Sequence, residues 1–588
     1  MAHLKTSALV GLITLALYLL TVSPSIPPGY DSGELISACA AGGIAHPPGY
    51  PLYTCLGFLL CKISPLSPAL TMNLFSVICS SLASFLLCLS LSIVIKNDWI
   101  SALSTLLFTV ALTPWRMAVG AEVFAFHLFF CASIFCFSVL WKYFPSKRRL
   151  WGDLLVLTVG LACSHHHTII LIIPGLVLFI WLSKGKEKIF YPEQILLFIL
   201  GLLPYIWLPL RSAYLDKIGP VGTALNWGRP HTWENFWWVV TRKGYGTFRL
   251  SVHTDVKPMA CLINWFLSLV TKQFFFIACC LGFYGLYKSW REYRAEFFLF
   301  AGLFIFSGPV WSLIAAQPYD NPFIPEMLER FYAASDLAFT FFIAVGSVAF
   351  CKSKKLNKLI YATLVVSCLF NLIYNFDGAS EHKDYLLEKT ANFMCQDLKE
   401  GDIIFTSSDV TAGMVIYKRT IDNANYIHVP CGDYNQDWFI ESLPENYRNI
   451  LRYKGPIFLV DYILQQGGNV YFEDARKAVD FGFADSNKEK HYVVSDGLLW
   501  RYMRKDENIF SSQEDLREHQ RSETVKISNF IKENNVDLNY DESRPFWHRF
   551  AVKYWLQALK SNSEDISSEH VYNKEYEYFH AKTSNNAK

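Results

Sequence analysis

Tyr30-Asp31-Ser32-Gly33-Glu34-Leu35-Ile36-Ser37-Ala38-Cys39-Ala40-Ala41-Gly42-Gly43-Ile44-Ala45-His46-Pro47-Pro48-Gly49-Tyr50-Pro51-Leu52-Tyr53 follows directly on the first apolar segment of the chain and sets two carboxylates at a membrane face. Asp31 and Glu34 are three residues apart, so a helical turn after Gly29 places them on one face, near a helix N-terminus where negative charge is stabilised. One reading is a capped interfacial helix, with Asp31 as N-cap and Glu34 completing a capping box. The second half, His46-Pro47-Pro48-Gly49-Tyr50-Pro51, asks for more, because prolines and a permissive glycine fix a backbone path that helix capping does not require. Such a loop holds something in place.

Apolar residues make up 52% of the 588 and charged residues 18%, and apolar runs recur through the first two thirds, which places the chain among polytopic membrane proteins. A formal net charge of +2, with no basic stripe interleaved with aromatics, argues against nucleic acid as a partner. Of 15 cysteines, Cys79, Cys88, Cys131, Cys136, Cys279 and Cys280 fall inside apolar segments, where the thiol acts as a small hydrophobe, so no disulfide framework is expected. Lys5 ahead of an apolar run, and Ile36-Ser37-Ala38-Cys39, raise the question of a cleaved signal. Asp31 and Glu34 interrupt the run before Cys39, and no small-residue cleavage site follows Leu20, so the first segment is read as a retained spanning helix.

Eleven spans are expected, near 7–23, 69–95, 99–113, 122–141, 152–164, 168–183, 194–210, 260–287, 296–316, 337–351 and 359–375. The segments 99–113 and 152–164 fall short of the roughly twenty residues of a full crossing and call for tilt, a break or extension into their flanks. Basic clusters at Lys96, at Lys142, Lys147, Arg148 and Arg149, at Lys184, Lys186 and Lys188, from Lys288 to Arg294, and from Lys352 to Lys358 all fall on one side of an eleven-span arrangement. The positive-inside rule then puts the N-terminus in the cytoplasm and the C-terminal region outside.

That topology sends every loop of chemical interest to the outer face. Glu122 and His127 enter an apolar helix after Arg116. An ionisable group at membrane depth is a functional candidate, the alternative being a structural pairing of Glu122 with Arg116. His165, His166 and His167 invite a metal, but consecutive helical residues point about 100° apart and cannot all face one ion unless the backbone is irregular there. Hydrogen bonding to a polar or phosphate group is the better reading, with a structural role for at least one of the three. After Arg211, the run from Asn226 and Trp227 to Trp238 is dense in aromatics, suits the headgroup level and can guide a lipid chain. Arg242 and Lys243, beside Gly244 and Tyr245, can bind phosphate through charge and exposed amides, or contact lipid headgroups. Arg330 either clamps a lipid phosphate bidentately or pairs with Glu326 or Glu329 as a surface bridge.

After Asn375 apolar runs shorten and charge rises, which marks a water-soluble α/β region. Leu386 to Leu398 has helical periodicity; 402–406, 426–429, 457–460 and 492–494 read as strands; and the chain from Glu507 reads as mainly helical before a polar tail after Asn562. No phosphate-cradling glycine fingerprint and no nucleophile motif appears there. The expected domains are therefore 1–375 in the membrane, 376–505 as an extracytoplasmic α/β domain and 506–588 as a mainly helical end.

The Asp-Ser-Gly-Glu stretch with His46-Pro47-Pro48-Gly49-Tyr50-Pro51-Leu52-Tyr53, then Ala121-Glu122-Val123-Phe124, His166-His167-Thr168, Leu208-Pro209-Leu210-Arg211-Ser212, Asn226-Trp227-Gly228 and Glu329-Arg330-Phe331 occur in this order. Together they resemble the polytopic protein O-mannosyltransferase family that modifies plexin-type domains, and its bacterial relatives, over roughly residues 1–500. The chain departs from the family pattern at Ser164 and Phe124, where asparagine and tyrosine are common. The resemblance implies a family C glycosyltransferase fold: a membrane all-α bundle, followed here by the soluble α/β domain. It implies a polyprenyl-phosphate-linked sugar donor, an exported protein acceptor and a first-loop acid as base.

On that reading Asp31 is the general base and Glu34 orients or shares the role. The leaving phosphate is met by Arg330, with Arg211, Arg242 and Lys243 behind it. His46, Tyr50, Glu122, His166, His167, Asn226, Trp227 and Tyr245 line the substrate site. No cofactor is expected, and arginines make a metal dispensable, although the sequence does not decide whether one assists. A transporter or flippase, and a non-catalytic scaffold, are the rival classes. No Gly/Pro-broken pair in matching halves supports the first, and the second has no use for Asp31. The absence of an Asn-X-Ser/Thr acceptor in the outer segments favours a bacterial inner membrane over the endoplasmic reticulum.

Overall fold

The computed structural model describes residues 2–29, 31–184, 191–218, 225–247, 256–315, 317–318, 323–351, 354–430, 435–474, 491–504, 513–536 and 546–562. Tyr30 and the polar tail after Asn562 lie outside them. The chain divides into two compact units, one comprising Met1–Lys217 and Leu225–Asp384, the other Ile218–Ala224 and Tyr385–Lys588.

The first unit is helical. It runs α1 (Ala2–Thr21), α2 (Ser32–Ala41), α3 (Pro51–Ile63), α4 (Pro68–Ile95), α5 (Asp98–Thr109), α6 (Leu112–Val119), α7 (Val123–Tyr143), α8 (Arg148–Cys163), α9 (Ile173–Ser183), α10 (Gln194–Leu202), α11 (Trp207–Ile218), α12 (Trp233–Val240), α13 (Pro258–Ser268), α14 (Phe275–Glu292), α15 (Arg294–Ile305), α16 (Trp311–Ile314), α17 (Phe323–Phe350) and α18 (Lys354–Ala379). Seven of the described helices are long and apolar enough to cross a membrane, or up to nine when each bent pair counts as one span. The bends are 69° between α5 and α6 and 115° where the helix from Pro258 to Gln273 meets α14. Two of the eleven expected segments, 152–164 and 168–183, fold as helices too short to pass that test.

Two further expectations are modified. The stretch between the first two spans contains α2 and α3 rather than loop alone, and the segment carrying Glu326 to Arg330 belongs to α17, a single helix of 28 residues. Pairing of its charged groups makes that continuity tolerable beside an apolar bundle. Helices approach closely through facing glycines. A β-carbon on Gly285 of α14 would run into the Phe342 carbonyl of α17, and one on Gly346 into the Leu281 carbonyl. Small residues let backbones meet where lipid supplies no hydrophobic drive for association.

The second unit carries a five-stranded sheet of order β2-β1-β3-β5-β4, built from β1 (Ile403–Thr406), β2 (Ile427–Pro430), β3 (Val470–Phe472), β4 (His491–Asp496) and β5 (Leu499–Arg504). β1 runs parallel to β2 and β3, and β5 is antiparallel to both its neighbours. The strand expected at 457–460 is instead part of the helix Pro456–Gln465. Proline sits at its first position, and Leu459, Val460, Ile463 and Leu464 are the buried face. That i, i+1, i+4, i+5 spacing has a helical period which a four-residue apolar run conceals. At the carboxyl ends of β1 and β3, Glu473 accepts hydrogen bonds from Ser407 N (2.6 Å) and Ser408 N (3.2 Å) and from the hydroxyls of Ser407, Ser408 and Thr411. The anion position of this α/β unit is thus filled by the chain's own carboxylate.

Candidate active site

Asp31 occupies the N-cap position of α2, yet its side chain makes no capping hydrogen bond. Its Oδ2 instead accepts from Arg330 Nη1 at 2.8 Å. Arg330 Nη1 also lies 3.7 Å from Glu122 Oε1, and that same Oε1 accepts from the Asp31 backbone N–H at 3.3 Å. Residues 91 and 299 positions apart in sequence therefore meet around one guanidinium. Phe124 and Phe331 flank it, with ring centroids 5.5 and 5.3 Å from its central carbon, so the fork is held in direction as well as charge.

α17 explains why Arg330 alone of its charged cluster faces Asp31. Adjacent helical residues diverge by about 100°, so Glu329 turns to Lys272 at 2.5 Å and Glu326 to Arg116 at 3.1 Å. The alternatives of Arg116 pairing with Glu122, and of Arg330 pairing with Glu326 or Glu329, are not what the fold adopts.

Glu34 does not close a capping box either. It accepts from the His46 backbone N–H at 2.7 Å and pairs with His46 Nδ1 at 2.9 Å. This ties the helix to the proline loop. Gly49 (φ 83°) and Tyr50 (φ 41°) both take left-handed backbone, which tyrosine rarely does, and the turn lays the Tyr50 ring parallel to His166 with centroids 5.7 Å apart. His46 Nε2 sits 3.2 Å from the Tyr50 hydroxyl. The three histidines lie on irregular backbone between Cys163 and the 3-10 turn His167–Ile172, with His166 extended, and they take separate partners: His165 Nε2 donates to the Val123 carbonyl, His166 meets Thr168, and His167 meets Tyr205. Among the described residues, the group with metal-ligand spacing is Asp496, His519 and Glu523 in the second unit.

Electrostatics separate the carboxylates. Burial pushes the Asp31 carboxyl up, but Arg330, His46 and Arg242 outweigh it and hold it below the ordinary carboxylate range. Glu122, whose Oε2 is buried without a hydrogen-bond partner, is raised to about 7 by burial against the pull of Arg330, with the Asp31 charge adding to the rise. Burial pulls His46 down, yet Glu34 overrides it and holds the imidazole well above its usual value, as a cation. Asp31 is thus held as an anion beside a Glu122 whose carboxyl is raised.

The remaining candidates are distributed around this centre. Arg242 carries charge felt by Asp31, stacks near Tyr245 and buries an Nε that has no hydrogen-bond partner; Lys243 is exposed. Arg211 is spent on the Gly42 and Ala41 carbonyls at the C-terminus of α2. Asn226 bridges to Ile44 and donates to the Ser212 carbonyl and Asp216, and Trp227 packs on the neighbouring Ile44 and Val239 cluster. These three brace the loop rather than face Asp31. Thr168, which holds His166, belongs to the His166-His167-Thr168 motif, whereas Tyr205 and Lys272, which hold His167 and Glu329, carry no motif that singles them out in sequence.

Comparison with known proteins bears on this arrangement. The model of the protein O-mannosyl-transferase TMEM260 N-terminal domain matches residues 31–189, a stretch that includes Asp31, Glu122 and His167. A Dictyostelium discoideum protein O-mannosyl-transferase, tmem260, is 20% identical over 623 residues, covering 96% of this chain and 74% of that protein. The Mus musculus TMEM260 protein is 25% identical over 435 residues, and the match spans 70% of this chain and 60% of the mouse protein. Among solved structures, ArnT from Cupriavidus metallidurans bound to undecaprenyl phosphate superposes with a TM-score of 0.53 at 12% identity, over 84% of this chain and 97% of that one. Archaeoglobus fulgidus AglB, in complex with an inhibitory peptide and a dolichol-phosphate, gives 0.50 at 11% identity over 87% and 75%. These two likenesses show the GT-C fold. With the motifs in order, the carboxylates gathered on Arg330 and these likenesses along most of its length, the chain is a multi-pass membrane protein of GT-C-like fold that is similar to the TMEM260 protein O-mannosyl-transferases.

Proposed function

We propose that the chain transfers a hexose, mannose first among them, from a polyprenyl-phosphate donor to serine or threonine hydroxyls of exported proteins, with inversion at the anomeric carbon. The reading places the reaction on the non-cytoplasmic face of a bacterial inner membrane, or alternatively of the endoplasmic reticulum, with eleven crossings when the two short helices are counted. What carries it is the Asp31–Arg330 pair at 2.8 Å beside buried Glu122. The acceptor oxygen attacks the anomeric carbon as the bond to the phosphate oxygen breaks, and its proton passes to Asp31. The departing lipid phosphate is met by cations: Arg330, oriented by its two aromatic neighbours, and Arg242, whose buried Nε has no other partner. Glu34 keeps His46 protonated and the loop in register. The solved relatives support this reading, since ArnT holds undecaprenyl phosphate and AglB a dolichol-phosphate with a peptide.

The test is a reconstituted assay with polyprenyl-phosphate mannose and an acceptor peptide. Asp31→Asn preserves size and capping ability but cannot take a proton, so transfer falls by about two to four orders of magnitude while donor binding persists. Near-normal turnover of Asp31→Asn alongside a dead Glu34→Gln would transfer the base role to Glu34. If neither substitution matters, the proposal fails.

A further inference from the structure

A second polar site lies at the opposite end of the bundle. α7 starts just after Glu122 and ends at Tyr143, and its 21 residues span about 30 Å at 1.5 Å per residue, the thickness of a bilayer's hydrocarbon core. At that far end a cleft of about 480 Å³ opens between the C-termini of α4 and α7 and the junction of α14 with α15. Lys96, Lys142, Arg294, Glu292 and Glu296 line it, with Ile95 and Leu182 as an apolar wall.

Its carboxylates are already neutralised. Glu296 accepts from Lys142 Nζ at 2.5 Å and from the Tyr143 hydroxyl at 3.0 Å, and Glu292 accepts from Lys288 at 3.2 Å. Lys96 is exposed at the left-handed cap of α4. Arg294 is exposed with its guanidinium against Trp290. Among the described residues neither has a carboxylate partner, so two uncompensated cations face a cleft with one greasy side. The same cleft is lined by the first turn of α15, which has no side-chain cap, and the dipole there adds to the positive potential. Every basic cluster of the sequence belongs to this end of the bundle on the eleven-span reading.

We propose that this cleft binds a phosphate group through Lys96 and Arg294, the phosphodiester of an anionic lipid headgroup in particular, whose glycerol and upper acyl carbons rest on Ile95 and Leu182. Two fixed cations near an anionic headgroup confer a preference on the order of tenfold to thirtyfold over a zwitterionic lipid. A dianionic soluble phosphate would satisfy the same two cations without using the apolar wall.

The experiment uses the full chain purified in neutral detergent, with dihexanoyl phosphatidylglycerol, dihexanoyl phosphatidylcholine and inorganic phosphate as probes, bound complexes being counted by native mass spectrometry. The wild type is expected to retain phosphatidylglycerol over phosphatidylcholine by that margin, and Lys96→Gln with Arg294→Gln to abolish the preference while mannosyl transfer in neutral micelles is unchanged. Both side chains are exposed, and each single variant supplies the same reading, a partial loss, should the double variant fold poorly. Displacement of phosphatidylglycerol by millimolar inorganic phosphate assigns the site to soluble phosphate and upholds the phosphate chemistry. Equal retention of the two lipids by the wild type, or an undiminished preference in the folded variants, overturns the proposal.

Discussion

Arg330 is shared by two carboxylates of opposite temper, and its charge makes Asp31 a standing anion while burial leaves Glu122 protonated up to about pH 7. Arg330→Ala is expected to weaken donor use more than folding, and Arg330→Lys to rescue only in part, because an ammonium cannot reproduce the fork between Phe124 and Phe331. Equal activity of wild type and Arg330→Ala at subsaturating donor would remove Arg330 from the site. Glu122 yields a pH prediction. Its pKa is raised above the value of an exposed glutamate, so its contribution to stability is complete below about pH 4.5 and is lost as pH rises through about 7. The thermal midpoint of the wild type should therefore fall between about pH 5 and pH 8 more steeply than that of Glu122→Gln. Parallel curves would show that Glu122 does not titrate there. Asp31 acts with the opposite sign, since a depressed carboxylate loses its contribution only on acidification below its ordinary range, so the two windows do not overlap.

At the scale of elements, the site depends on α17 as a ruler. The helix carries Arg330 near one end and Gly346 near the other, and Gly346 lies against Leu281 and Gly285 of α14 so closely that no side chain fits. Gly346→Val is expected to force the two helices apart, to lower stability by a few kcal/mol as overpacked cores do, and to reduce transfer further than the stability loss explains by shifting Arg330 from Asp31. A variant that unfolds earlier yet retains full specific activity while folded would show the two ends of α17 to be uncoupled. The second unit teaches a different lesson about elements. The 457–460 run was apolar and short enough to pass for a strand, and its helical face is legible only when Pro456 and the pair Ile463 and Leu464 are read with it. β3, three residues long, has no periodicity to detect and exists because β1 and β5 offer it hydrogen-bonding edges.

For the whole molecule, the eleven-crossing arrangement makes a prediction of its own. Reporters fused after Lys355 and after Lys588 should behave oppositely, one active only in the cytoplasm at the first position and one active only beyond the membrane at the second. The reverse pattern would relocate the site, and an identical pattern at both positions would require an even number of crossings between Lys355 and Lys588, so that α18 does not cross. The two short helices, Arg148–Cys163 and His167–Ser183, decide this count, and the bends at α5–α6 and before α14 each count as one crossing in it.

By itself the sequence determined the membrane class, the order of the motifs and the α/β character of the second unit, because composition and short-range spacing are written along the chain. Only the tertiary structure decided the partners. Asp31 as a cap, Glu34 as its box partner, Glu122 on Arg116 and Arg330 on Glu329 were all sound local pairings, and each gave way to a contact made by chain segments far apart in sequence. The physical reason is that a charge in a low-dielectric bundle must be matched by whichever opposite charge the packing brings within reach. Packing, set by glycine contacts and helix bends, is a property of the assembled helices and not of any one of them.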